Sequence, residues 1–222
     1  MMKIGAIFDW DGVVVDSSGP HEESWERLAA EIDKPLPERH FERSFGMKNE
    51  VIIPELLEWT KDPEEIGRLS LRKEELYREI VAERGIEPLP GVKVFLRRLA
   101  EAGIPCVIGS STHRLNITTT LERLGVASYF AALVTAEDVS RGKPAPEVFQ
   151  VCARRIGASP DECVVFEDAH VGIRAARAAG MRVVAVATTH PRESLSAADR
   201  VVDRLDELQV EDLHALFGAQ RM

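Results

Sequence analysis

Ile4-Gly5-Ala6-Ile7-Phe8-Asp9-Trp10-Asp11-Gly12-Val13 is the stretch on which the fold turns. Residues 4–8 form an apolar run too short for a good helix, and it ends abruptly in Asp9 and Asp11. Such a run reads as a buried strand with acidic residues at its carboxyl end. Short apolar runs of the same kind recur at 105–109, 133–135, 163–166 and 182–186. Between them lie helical patterns at 92–102, 115–124, 147–156 and 171–179, ended by Gly103, Gly125, Gly157 and Gly180. A glycine just past the last periodic residue is a usual helix stop. The alternation predicts an α/β fold, a doubly wound parallel sheet.

Residues 21–84 break that alternation, offering amphipathic helical patterns and no convincing strand. They predict an inserted helical domain, with exits at Ser17-Ser18-Gly19-Pro20 and at 85–91, the latter containing Pro88 and Pro90. The expected division is a core of residues 1–16 and 89–222 around a helical domain of 17–88. Beyond Asp206 the chain reads as a last surface helix, and the acidic segment 64–75 as a solvated helix face.

A chain of 222 residues holds one such core and a modest insertion. With 37 acidic against 28 basic residues and a formal charge of -9, it offers no overall electrostatic reason to bind nucleic acid or an anionic membrane. Small ligands are the expected partners, and a monomer or weak homodimer the expected state. Cys106, Cys152 and Cys163 are odd in number and form no CxxC, so they read as core residues in a reduced, cytoplasmic setting. The run 3–8 is too short for a secretory apolar region, and no stretch reaches membrane length.

In an open parallel sheet, ligands bind at the carboxyl ends of the strands. The residues expected there are Asp9 and Asp11, Ser110 and Ser111, Lys143, and Glu167 with Asp168. Carboxylates gathered this closely repel one another unless a cation lies among them, and an all-oxygen set suits Mg²⁺. A carboxylate can attack phosphorus to give an acyl-phosphate, with a metal and a lysine offsetting charge on the transferring oxygens. Singly, Asp11-Gly12 reads as a turn, Asp168-Ala169 as a helix N-cap and Lys143-Pro144 as a loop. Their joint placement at strand ends favours the site.

Phe8-Asp9-Trp10-Asp11-Gly12-Val13, Ser110, Gly142-Lys143-Pro144 and Phe166-Glu167-Asp168, in this order, resemble the four motifs of the haloacid dehalogenase-like superfamily. The resemblance implies Asp9 as nucleophile and Asp11 as general acid and base. It implies Ser110 and Lys143 as the grip on the phosphoryl group, and Asp9, Asp11 (through its carbonyl), Glu167 and Asp168 around Mg²⁺. A helical insert between the first two motifs resembles the cap of the β-phosphoglucomutase-like group, with His21 and Trp25, and Lys73 and Tyr77, at matching places. The candidate substrate-binding set is Ser111, His21, Lys48, Asn49, Lys73 and Arg114.

Gly46-Met47-Lys48-Asn49 departs from that group, whose sugar-phosphate mutases carry an arginine there for a second phosphate. Lysine cannot replace it bidentately, so a phosphatase ranks above a mutase. The segments Gly46-Met47-Lys48-Asn49-Glu50 and Arg72-Lys73-Glu74-Glu75, with His190-Pro191 and Ala198-Asp199, resemble phosphatases assigned to riboflavin biosynthesis. That resemblance implies 5-amino-6-(5-phosphoribitylamino)uracil as substrate; sugar phosphates and nucleotides stay open. A phosphonatase would need a cap lysine as a Schiff base, for which Lys48 is the candidate. A haloalkanoate dehalogenase has no need of Asp11 or the metal cluster, and a non-catalytic phosphate binder has no need of every motif residue.

Overall fold

The computed structural model describes residues 4–44 and 47–218. Lys3, at the start of the first apolar run, and Gly46, in the segment before Asn49, lie outside them.

Strand β1 (Gly5–Phe8) is followed by α1 (Ser18–Glu31), α2 (His40–Ser44), the short turn α3 (Asn49–Val51), which continues as a π-helical turn at Ile52–Leu56, and the long helix α4 (Pro63–Arg84). Then α5 (Val92–Glu101), β2 (Cys106–Gly109), α6 (Arg114–Leu124), β3 (Phe130–Val134), α7 (Glu147–Arg155), β4 (Cys163–Glu167), α8 (His170–Ala178), β5 (Arg182–Val186), β6 (Arg200–Val202) and α9 (Val210–Gly218) complete the order. The six strands form one sheet, β3-β2-β1-β4-β5-β6, and every pairing is parallel.

Side chains alternate across each strand, and the two faces carry separate cores. Ala6, Phe8, Ile108 and Phe166 pack with Phe95 and Leu99 of α5 and Ile117 and Leu121 of α6. Ile7, Val107 and Val165 pack with Phe149 and Cys152 of α7 and Ile173 and Ala176 of α8. The three cysteines are buried and unpaired. Gly103, Gly125, Gly157 and Gly180 all take positive φ, the left-handed turn that ends a helix.

The expected strands are present with shifted ends, and two details differ. β3 begins at Phe130, earlier than the apolar periodicity implied, because this edge strand is only partly buried and Phe130 is pinned edge-on to Phe8 at 5.8 Å. β6 was not expected: three residues long and half covered, it opens with an arginine and carries too little apolar pattern to register.

Between β1 and α5 the described residues carry helices and their own apolar cluster, in which Trp25, Leu28, Ile53, Trp59, Leu69 and Leu76 pack together. Ser18, Gly19 and Pro20, expected as linker, instead form the first turn of α1. A proline there costs nothing in hydrogen bonding, because first-turn N–H groups have no intrahelical partner. The connection narrows to Asp16 and Ser17 on one side. On the other, Gly85, at φ +78, leads out of α4. The two crossings run together, with the Leu89 N–H donating to the Val14 carbonyl at 2.9 Å and Val15 bridged antiparallel to Pro88.

Candidate active site

Asp9 extends β1 by one residue, its N–H donating to the Phe166 carbonyl of β4 at 2.9 Å. Phe8 is stacked on Phe166 at 4.5 Å, so the two strand ends advance together and bring Asp9 beside Glu167 and Asp168. Ligand oxygens of these three buried carboxylates lie within 4.8 Å of one another. Lys143 reaches in from the loop before α7, its Nζ 2.8 Å from Asp9 Oδ2 and 2.7 Å from Glu167 Oε1. Glu167 Oε2 accepts the N–H groups of Asp168 (2.8 Å) and Ala169 (2.7 Å), and Asp168 Oδ2 accepts from the Thr189 hydroxyl at 2.5 Å.

The electrostatics of this cluster are unbalanced. Burial pushes the carboxyls of Asp9 (to about 8) and Asp168 up, against the pull of Lys143. One lysine beside three carboxylates leaves two negative charges uncompensated when all are ionised. Asp168 Oδ1 is buried without a hydrogen-bond partner. A divalent cation answers both deficits, and the all-oxygen donor set suits a hard one.

Two glycines make room for the cluster. A Cβ on Gly12, which also sits at φ +72, would meet Asp168 Oδ2 at 2.0 Å, and one on Gly172 would meet Glu167 Oε1 at 1.5 Å. Gly172 was not singled out in the sequence, where a lone glycine in a helix carries no sign of a carboxylate approaching it from another element.

Asp11 does not join its carboxylate to that cluster. Its Oδ1 accepts from the Ser17 hydroxyl at 2.5 Å and lies 3.2 Å from His21 Nε2, and its Oδ2 accepts from Thr112. Burial alone would raise this carboxyl, but His21 and these hydrogen bonds outweigh it and hold it at about 2. Thr112, which closes this set, is in turn positioned by its N–H donating to Ser110 Oγ at 3.0 Å.

His21 belongs to α1, and its other nitrogen, Nδ1, is 2.7 Å from Lys73 Nζ of α4. Lys73 also lies 3.1 Å from Glu74, so it is the ammonium donor and Nδ1 the acceptor, which leaves the imidazole proton on Nε2 facing Asp11. Tyr77, one turn along α4 from Lys73, stacks on His21 at 4.2 Å. Glu74 Oε1 takes the Asn49 amide at 2.6 Å, and Oε2 takes the amide of Asn116 on α6. The Asn116 carbonyl oxygen accepts from Arg78 at 2.9 Å. Glu74 entered the sequence reading only as part of a solvated acidic face and of a resembling segment, with no role of its own, and Asn116 and Thr112 did not enter it, since polar residues at a helix start look like solvated surface.

Asp9, Asp11, His21, Asn49, Lys73, Ser110 and Ser111 line one chamber with a cavity volume of about 50 Å³. Lys48 and Arg114 are not among its lining residues. Lys48 Nζ donates to the carbonyls of Ala136 (2.8 Å) and Val139 (2.9 Å), a tether from the helical segment to the core, and Arg114 is paired with Asp138. An amine held by two carbonyls is poorly placed to form a Schiff base.

A family model described as haloacid dehalogenase-like hydrolase matches residues 5–180. Among curated proteins, the chain is 38% identical over 216 residues to the 5-amino-6-(5-phospho-D-ribitylamino)uracil phosphatase of Arabidopsis thaliana chloroplasts, covering 96% of this chain but only 57% of that protein. It is 34% identical over 182 residues to the fructose-1-phosphate phosphatase YqaB of Escherichia coli, covering 82% of this chain and 95% of that one. A β-phosphoglucomutase structure from Clostridium difficile superposes with a TM-score of 0.86 at 27% identity, covering 98% of both chains.

Proposed function

This chain belongs to the haloacid dehalogenase-like hydrolases, and from that premise we propose that it is a Mg²⁺-dependent phosphatase acting on a small phosphorylated metabolite through an aspartyl-phosphate on Asp9. The observation that carries the proposal is the buried cluster of Asp9, Glu167 and Asp168 sharing a single lysine. Asp9, Glu167 and Asp168 would hold the cation, which when bound offsets charge on the transferring phosphoryl oxygens.

Asp9 attacks phosphorus, the bond to the leaving oxygen breaks, and Asp11, held as a carboxylate by its neighbours until it takes up a proton as the substrate enters, passes that proton to the leaving oxygen. Water then attacks the phosphorus of the aspartyl-phosphate, and Asp11, back in its carboxylate form, takes the proton as the bond to Asp9 breaks. The His21 Nε2 proton, aimed at Asp11 by Lys73, orients this carboxylate between the two steps. Ser110 and Lys143 steady the phosphoryl oxygens.

The chamber is lined from both the helical segment and the strand ends, and Lys48 and Glu74 each bond across from one to the other. We take residues 17–88 as a cap over a core of 1–16 and 89–222, and the arrangement as its shut state. Substrate then enters when the tethers of Lys48 and of Glu74 with Asn116 part. The three unpaired thiols suit a reducing compartment.

The relatives point to phosphorylated polyols and sugars, with the ribitylaminouracil phosphate first and fructose 1-phosphate next. A β-phosphoglucomutase of Bacillus subtilis at 32% identity supports a second reading, a sugar-phosphate mutase. It ranks lower because Asn49 is spent on Glu74 and Ser70, and Lys48 on two carbonyls. Phosphate release with and without Mg²⁺ across these substrates, run beside conversion of β-glucose 1-phosphate to glucose 6-phosphate, tests the proposal. Mg²⁺-dependent release is the expected result; isomerisation without release would contradict it.

A further inference from the structure

The chamber that holds Asp9 and Asp11 holds another carboxylate, Glu74, for which phosphoryl transfer and the metal cluster have no use. It is buried, and it accepts from Lys73 (3.1 Å), Asn49 (2.6 Å) and Asn116. Two carboxylate oxygens offer about four acceptor positions, so three donors leave one for a ligand.

The surrounding chemistry is one-sided. Among the described lining residues the basic ones are His21 and Lys73, and both are committed: His21 to Asp11, Lys73 to His21 and Glu74. Arg78, just outside, is bonded to Asn116. The helical side of the chamber is otherwise Trp25, Phe41, Met47 and Ile52, with the polar Ser44 and Asn49. A leaving group lodged there meets an acceptor and apolar walls, and no spare cation.

We propose that Glu74 is a specificity-determining residue, which accepts a hydrogen bond from a hydroxyl or amine on the leaving group of a monophosphate and excludes substrates carrying a second phosphate. The proposal rests on the phosphatase reading above and names the substrate class: monophosphorylated, hydroxyl- or amine-bearing, and otherwise uncharged. A hydroxyl donating to a carboxylate makes a charge-assisted bond. A second phosphate would bring a like charge close to Glu74, which is buried and so poorly screened. Because Asn116 lies on the core and Glu74 on α4, the acceptor is completed only when the helices are shut on the sheet, so the leaving group is read on closure.

The test compares fructose 1-phosphate with fructose 1,6-bisphosphate, using p-nitrophenyl phosphate to report phosphoryl transfer itself. The wild-type chain is expected to favour the monophosphate by about tenfold or more in kcat/KM, the scale of one unfavourable charge contact. Glu74→Gln, which keeps the shape and removes the charge, is expected to bring that ratio to within about threefold of unity. The wild-type ratio stands as the test if the variant does not fold. Calorimetric binding of the same two sugars to Asp9→Asn repeats it without turnover. Equal use of the two sugars, with p-nitrophenyl phosphate cleaved, overturns the role of Glu74 and leaves the phosphatase reading standing. No cleavage of any substrate, with the monophosphate still bound about tenfold more tightly, overturns the phosphatase reading and upholds Glu74; equal binding overturns Glu74.

Discussion

The buried carboxylates of the site divide into two groups that sit under opposite stress. Asp9 and Asp168, at the strand ends, are pushed up by burial and share one lysine with Glu167, whereas Asp11 and Glu74, facing the helical segment, are held at about 2 by the donors around them. The first group costs stability at neutral pH and is held in place by backbone: a strand register, two amide N–H groups on Glu167, two glycines. The second contributes stability and is held by side chains from both sides, His21, Asn49 and Lys73 of the helical segment and Thr112 and Asn116 of the core. Rigid strand ends suit chemistry, and a side-chain web that can part suits substrate admission and choice.

Asp9→Asn breaks this contrast most severely. Turnover should fall by about 10⁴-fold or more, while the metal-free chain should melt higher, because an amide escapes the cost that burial imposes on the Asp9 carboxyl, which must take up a proton to be buried at neutral pH. A melting curve in EDTA checks the second part; a gain of about 2–4 °C is expected for each kcal/mol recovered. Unchanged or lower melting would deny that the strand-end group is under stress.

Next in size, Gly172→Ala drives a methyl group into Glu167. Overpacking of this kind costs about 1–3 kcal/mol, so a lower melting temperature and a loss of activity on every substrate alike are expected. Lys73→Met, on the other side, removes the donor to His21 Nδ1. It should lower kcat by about tenfold and move the pH profile, since the Nε2 proton facing Asp11 is no longer enforced. An unmoved profile would reduce Lys73 to packing.

The sequence made the first group legible and the second only in part. Asp9, Lys143, Glu167 and Asp168 follow or precede apolar runs, and a parallel sheet sends such residues to one edge whatever the loops do. His21 and Lys73 were found through resemblance, but their bond to each other depends on how α1 packs on α4, which periodicity leaves open. Lys48 was singled out where sugar-phosphate mutases carry an arginine, and Arg114 as a substrate-binding candidate, and each meets a nearer partner in the core. Glu74 and Asn116 had no local signal, because a buried pair made between two separate elements looks, in either one alone, like polar surface.

Smaller effects sharpen the comparison. Lys48→Met cuts the tether to Ala136 and Val139, and a change of a few-fold in KM with melting nearly constant is expected, as for a contact that governs closure and not folding. For Glu74 the pH dependence has a fixed sign. Burial would raise its carboxyl, but Lys73 and the other donors lower it from an ordinary 4.5 to about 2. Its contribution is therefore complete above about pH 4.5 and is lost as the pH falls toward 2. The melting gap between wild type and Glu74→Gln should shrink from pH 6 to pH 3; a gap that widens would contradict the pairing.

The most direct test of the account is to trap the intermediate. The chain is mixed with Mg²⁺ and a phosphorylated substrate, quenched in acid within the first turnover, digested and weighed peptide by peptide. One added phosphoryl group is expected on the peptide carrying Asp9, absent in Asp9→Asn and absent without the metal. A phosphoryl group found elsewhere, or product formed by Asp9→Asn at the wild-type rate, would contradict it.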